Sequence, residues 1–259
     1  SSDLLADAKV RTALSMAINI DDIVRFVLFG EGEQTSGPYP MNTPWYDREV
    51  EPIAYDPEGA VALLNEAGWQ KNADGWMEKD GKVLSFTLIT NQGNAVREAI
   101  LSIAQDAWRR IGVRCDTQIF EWAVFLEDFV NKGDYDALVL GWSMGADPDL
   151  YQLWHSSQTD YAELNFTGYK NEEVDRIIED IRQQYDVEQQ RKLAHELHAI
   201  IARDQPYTFL FAPRSTRVLN KSLRLRGDGG DLGAIEAVPS GAIYQYFDRW
   251  TRPGLSPDS

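Results

Sequence analysis

"GWMEKDGKVLSFTLIT", residues 75–90, is the stretch from which the fold class can be read. Asp80-Gly81 is a dipeptide suited to a tight two-residue hairpin turn, where both positions take positive φ. After it, Val83, Ser85 and Thr87 alternate with Leu84, Phe86 and Leu88, the period-two pattern of a half-buried strand. The pattern then changes period. A long helix is predicted over 94–111, a strand over 113–120, a helix over 121–131 and a strand over 135–142. Strands alternating with helices predict an α/β class with a mixed sheet.

Toward the N-terminus, "DLLADAKVRTALSMAIN" places Leu5, Val10, Ala13, Leu14 and Ala17 on one helical stripe. "IDDIVRFVLFG" predicts a second short helix stopped by Gly30. Residues 30–54 hold four prolines and three glycines without a regular period. Loops of that length are more often functional than idle. "DPEGAVALLNEAGW", residues 56–69, predicts a helix capped by Asp56, opened by Pro57 and ended by Gly68. Toward the C-terminus, "NEEVDRIIEDIRQQY" and "DVEQQRKLAHELHAIIARDQ" predict two helices, and "YTFLFAPRSTRVLN" a strand. The last forty residues are rich in Gly and Pro and hold an aromatic cluster, "AIYQYFDRW". There is no internal repeat.

The 259 residues suffice for one large core or two modest ones. Hydrophobic content of 43% with 25% charged residues is that of a soluble globular protein. With 25 Lys+Arg against 41 Asp+Glu, the net charge of -16 repels a phosphate backbone and argues against nucleic-acid binding. The single cysteine, Cys115, forms no internal disulfide, and its strand-like surroundings predict a buried structural thiol. No apolar run reaches the ~18 residues of a membrane-spanning helix. The N-terminus runs straight into helical periodicity without a leader pattern, so the expectation is a mature protein or an excised piece.

"GWSMGADPDLYQLWHSSQ", residues 141–158, breaks the last predicted strand with Trp142, Met144, Asp147 and Asp149. One reading is a plain helix start, with Asp147 as cap and Pro148 at the first helical position. The other is a ligand-binding loop at the carboxyl end of a strand, where open α/β sheets place their sites.

Catalytic and metal motifs have no positive support. In "AHELHAI", His195 and His198 lie three apart, not the four of a zincin helix; two imidazoles at that spacing could share a metal, but no third ligand is nearby in the sequence. Both histidines read as part of a solvated helix face. His155, after Trp154, reads as packed or capping. Ser156 and Ser157 stand beside it, but adjacency does not make a nucleophile–base pair. No nucleophile elbow, dinucleotide fingerprint or P-loop occurs. No cofactor, no metal and no catalytic residue is expected.

Taken together, "VRTALSMAINIDDIV", "YDPEGAVALLNEAGW", "DGKVLSFTLIT", "AQDAWRRIGVRCD" and "GDYDALVLGW", in this order and spacing, resemble the extracellular solute-binding proteins of family 5. These are the peptide/nickel-type receptors that deliver ligands to ABC importers. "GWSMGADPDLYQLWHSSQ", "GYKNEEVDRII" and "RDQPYTFLF" extend the resemblance over about residues 8–215. It implies a mixed-sheet α/β lobe of the type II periplasmic-binding-protein-like fold. Family members are roughly twice as long. The resemblance therefore implies that residues 1–239 form a C-terminal ligand-binding lobe, with 240–259 a tail that returns to the other lobe. Tyr244, Tyr246, Phe247 and Trp250 of that tail are expected to pack on this lobe or on a neighbouring copy.

The resemblance also assigns a pocket. Trp122 of the "EW" pair and Trp142 at the end of the "GW" strand are implied to line it, together with Ser143, Met144, Gly145 and Asp147. Flat indoles give contact area without reading side-chain identity; the alternative for each is a core tryptophan. Two positions depart from the family. Gly145 stands where some members have an aspartate for the ligand's ammonium, and Val139 where some have an arginine for its carboxylate. The function implied is hinge closure around a peptide or peptide-like solute, against an N-terminal lobe of the same protein. The partners implied are that ligand and the membrane subunits of an ABC importer. The location implied is extracytoplasmic, in the periplasm or lipid-anchored at the cell surface. The competing readings are a hydrolase using carboxylates of the 141–149 loop, and a ligand-sensing domain of a membrane receptor.

Overall fold

The hairpin forms where the sequence places it: Asp80 and Gly81 have φ of 52° and 74°, joining β3 (Met77–Lys79) to β4 (Lys82–Val83). The chain is described here from a computed structural model over residues 3–214, 220, 222–226, 232–233 and 250–251. The alternating run does not continue as one strand. β4 stays in a small antiparallel sheet with β3 and β2 (Gln70–Lys71), and β5 (Ser85–Asn91) moves into a second sheet.

That second sheet positions the site. β5 is its central strand, paired parallel with β6 (Arg114–Phe120) on one side and β7 (Ala137–Leu138) on the other. Parallel neighbours need crossovers. The first is α4 (Ala95–Arg110), started by the Asn94 side chain accepting from the Arg97 amide. The second is α5 (Trp122–Val124), capped by Glu121 and continued by a π-helical turn at Phe125–Val130.

Both sheet faces are covered, as parallel strands require. Leu84, Phe86 and Leu88 pack with Ile100, Leu101, Ala104 and Trp108 of α4, and with α1 (Ala8–Met16) and α3 (Pro57–Glu66). On the other face Ile89 packs against Phe125 and Val130. Each fully buried Leu or Ile contributes about 1.5–3 kcal/mol. Cys115 is buried in β6, and burial pushes its thiol up to about 12, as an inert structural cysteine requires.

A second core forms around α6 (Tyr151–Trp154), α7 (Glu172–Gln183) and α8 (Val187–Asp204). Arg11 of α1 ties it to the first by donating to the carbonyls of Asp204 and Gln205 at the end of α8, at 2.7 and 2.8 Å. The irregular segment 30–54 belongs to this second core. It pairs β1 (Gly32–Gln34) with β8 (Phe211–Pro213) and buries Tyr39, Trp45 and Tyr46. The short α2 (Ile20–Asp22) leads into it through a π-helical turn at Ile23–Val27, and Gly30 has the left-handed φ of a stop.

Four expectations need correction. The strand over 135–142 is confined to Ala137–Leu138; Val139 still donates its amide to the Ile89 carbonyl and accepts from the Thr90 hydroxyl, and no strand is formed at 140–142. The strand over 207–220 is β8 alone among the described residues. Asp147 is not a helix cap. The helix begins at Tyr151, whose amide donates to Asp149, while Asp147 accepts from the Asp149 amide one turn earlier.

The fourth correction is His198, which does not lie on a solvated face: its exposure is 0%. The Asp47 amide donates to its Nδ1 at 3.1 Å, so Nε2 carries the proton and faces the Ser36 hydroxyl at 3.0 Å. Ser36 is in turn 2.8 Å from the Tyr46 hydroxyl. A Cβ on Gly37 would lie 2.2 Å from Nε2, so the backbone approach there needs glycine. The expected tail contacts of Tyr244, Tyr246 and Phe247, and most of the 240–259 tail, lie outside the described residues. Backbone pairing of β11 (Trp250–Thr251) and β10 (Leu232–Gly233) with β9 (Arg224–Arg226) forms a separate three-stranded sheet.

Burial depresses His198 from 6.5 to about 4; Asp47 opposes this shift and His195 reinforces it. The unfolded chain takes up this proton near pH 6.5 and the folded chain only near 4. Its contribution to stability is therefore complete above 6.5 and lost as pH falls through about 4, by roughly 3 kcal/mol in all. Urea denaturation of wild type and His198→Gln at pH 7, 5 and 4 checks this. The variant should be less stable at pH 7, and its stability should fall less steeply with acid. Parallel pH profiles would show that His198 does not carry the acid response.

Candidate ligand-binding site

The carboxyl ends of β6, β5 and β7 face the same edge of the sheet, and the segments leaving them hold the candidate residues. Trp122 opens α5, two residues past the end of β6, and is 45% exposed. Trp142 lies four residues past β7, is 37% exposed and stacks on Phe166 with ring centroids 5.2 Å apart. Neither is a core tryptophan; Trp154, by contrast, is 1% exposed. Burial pushes the Tyr207 phenol up to about 12, moderated by the Trp142 indole N–H beside it.

Ser143, Met144, Gly145 and Asp147 line, with Trp142, a cleft of about 650 Å³. Trp122 is not among its lining residues. The lining also includes residues that the sequence reading did not single out: Tyr151, Gln152, Gln158, Leu164 and Arg182. Arg182 reaches in from α7, 3.3 Å from Asp149 and 4.4 Å from the Tyr151 ring centroid. No local motif marks it, because its partners lie some thirty residues earlier in the chain.

The loop under the cleft is held from below. The Trp45 indole N–H donates to the Ala146 carbonyl at 2.7 Å, and the Tyr39 hydroxyl to the Pro148 carbonyl at 3.2 Å. These two side chains come from the irregular 30–54 segment, which His198 pins to α8. Asp147 is exposed and makes no ion pair among the described residues. Val139 is buried at 8% exposure and cannot replace an arginine in a cleft.

The structure brings His155 Nδ1 to 2.9 Å from the Ser157 hydroxyl, a contact that adjacency alone did not predict. The Ser157 amide also donates to that nitrogen, at 3.1 Å. Glu179 is 3.4 Å from Nε2. The ring nitrogen is thus engaged in closing a local turn behind α6. His195 Nε2 lies 3.0 Å from the Pro44 carbonyl and its Nδ1 3.8 Å from Asp47; no group of three potential ligands for a metal occurs among the described residues.

Comparison with known proteins decides the family. The profile of the bacterial extracellular solute-binding proteins, family 5 (middle) matches residues 1–163. The chain belongs to this family. The oligopeptide-binding protein AppA of Bacillus subtilis is 40% identical over 227 residues, which are 86% of this chain and 41% of AppA. The structure of AppA with a nonapeptide superposes with a TM-score of 0.79 at 36% identity, covering 97% of this chain and 48% of AppA. NikZ of Campylobacter jejuni with Ni(L-His) shares the fold with a TM-score of 0.77 at 24% identity, covering 97% of this chain and 50% of NikZ. The family 5 fold is thus a type II periplasmic-binding-protein α/β arrangement, and the chain spans about half or less of the relatives it matches.

The partial exposure of Trp142, 37%, sets the stability cost of removing it. Trp142→Ala should cost about 1–2 kcal/mol, against the roughly 3–5 kcal/mol of truncating a buried aromatic such as Trp154. Urea denaturation of the two variants gives the comparison. Equal losses would make Trp142 a structural residue.

Proposed function

We propose that this chain is the C-terminal lobe of a solute-binding protein that captures peptides or a peptide-like solute for an ABC importer. The observation that carries the reading is the cleft at the carboxyl edge of the parallel sheet, walled by an exposed indole and an unpaired carboxylate. A flat apolar surface beside a few polar groups suits a ligand that varies in side chain and not in backbone. The 40% identity to an oligopeptide-binding protein supports the same class of solute.

In this reading Trp142, Ser143, Met144, Gly145 and Asp147 contact the solute, and Trp122 contributes from the end of β6, across β5. Asp147 takes the role of counter-charge to a ligand ammonium in place of Gly145. Closure against an N-terminal lobe completes the cleft, and ligand bridging the two lobes favours the closed state. That lobe accounts for the relatives' additional length. The working place is extracytoplasmic, and no helix among the described residues is long and apolar enough to cross a membrane. In this reading the solute is bound and released unchanged, and Asp149 is held by Arg182 and by the Tyr151 amide.

Titrating the intact protein that carries this chain with a pool of pentapeptides, then recovering them for mass spectrometry, tests the reading. Bound peptides should return uncleaved, and Trp142→Ala should weaken binding about 5- to 100-fold. Cleaved products would favour the hydrolase, and unaltered affinity in a folded variant would remove Trp142 from the site.

A further inference from the structure

The chain is strongly acidic, yet a half-buried arginine at the carboxyl edge of the sheet has no acidic partner among the described residues. Arg97 sits in the first turn of α4, directly after the end of β5. Its Nη1 donates to the side chain of Asn91, a neutral and buried residue. Its Nη2 lies 3.6 Å from the position that a Cβ on Gly141 would occupy, beside the backbone that leads into Trp142. It forms no ion pair with any carboxylate among the described residues. The adjacent Glu98 accepts from the Gly93 amide instead.

Burial lowers the Arg97 pKa, and no neighbouring carboxylate opposes the shift. Partial desolvation of a cation without a counter-charge costs free energy that the fold does not recover locally. Such a group is stabilised when an anion arrives. A guanidinium presents its donors in a planar fork that matches a carboxylate. The start of α4 adds the positive end of a sixteen-residue helix on the same side. The sheet order fixes the neighbours: β5 lies between β6 and β7, so Arg97 lies between the strand ends that lead to Trp122 and Trp142.

We propose that Arg97, oriented by Asn91 over Gly141, binds a carboxylate of the captured solute. This rests on the solute-binding reading above and supplies the cation that Val139 does not. Arg97 is not among the residues that line the cleft but stands beside Gly141, directly before the lining residue Trp142, so Asp147 and Arg97 offer one negative and one positive partner to a zwitterionic ligand that extends past that lining. The carboxylate comes from either of two sources, a free peptide C-terminus or an acidic side chain.

Three pentapeptide pools separate them: free acids without Asp or Glu, the same peptides C-terminally amidated, and amidated peptides with one Glu. They are titrated into the intact protein, wild type and Arg97→Gln; glutamine keeps an amide donor for Asn91. A C-terminal source gives the free-acid pool about a tenfold tighter dissociation constant than the neutral amides. A side-chain source gives the Glu-containing amides that advantage. In either case Arg97→Gln should abolish the preference, so that the carboxylate-bearing pool binds no more tightly than the neutral amides. A wild type without preference, or a preference that survives in Arg97→Gln, overturns the proposal. If no pool binds, the peptide reading itself fails, and urea denaturation in acetate against acetamide decides on Arg97. Stabilisation by acetate that is lost in Arg97→Gln supports an anion site; equal curves for the two proteins overturn it.

Discussion

Much of the cleft's architecture depends on one neutral imidazole held dry inside the second core. His198 accepts the Asp47 amide on one nitrogen and faces the Ser36 hydroxyl with the other. A charged ring could not accept that amide, so the segment 36–47 is fastened only while the ring stays uncharged. The same segment carries Tyr39 and Trp45, whose polar tips hold the carbonyls of Pro148 and Ala146. A histidine on α8 is thereby connected, through two aromatic props, to the loop that lines the cleft. The irregular 30–54 segment therefore acts as a brace.

The second organising constraint is the parallel sheet. Because β6, β5 and β7 run the same way, their carboxyl ends converge on one edge, and each crossover starts there. Trp122, Arg97 and Trp142 come from three separate segments and share that edge for no reason other than strand order. The edge is also where polar groups go unpaired. There Arg97 is half-buried without a carboxylate partner, and Asp147 is exposed without an ion pair, among the described residues. Groups that folding leaves without partners are the ones that remain for a ligand.

Helix starts were legible in the sequence because they are local. Asp56, Asn94, Asn171 and Asp186 each accept an amide two or three residues ahead, as their positions before apolar stripes predict. The Asp80-Gly81 turn, the buried Cys115 and the helix–strand alternation over 94–120 are likewise short-range signals. The "GW" stretch was legible as a break, and the resemblance to family 5 implied that its residues line a pocket; those from Trp142 to Gly145 and Asp147 do line a cleft, whereas Trp122 does not. It did not reveal that the break comes before Gly141 because pairing to β5 ends at Leu138.

The sequence by itself determined the class of fold, the positions of most helices, the family, and the tryptophans worth attention. Each of these depends on residues within a few turns of one another, or on blocks in a fixed order. Tertiary structure alone decided that His198 is buried and Asp147 caps no helix. It also decided that Arg182 lines the cleft and that Arg97 has no carboxylate partner among the described residues. Those facts depend on what packs against a side chain from segments tens to more than a hundred residues away. Burial and charge pairing are properties of the assembled neighbourhood, and no spacing rule along the chain encodes them.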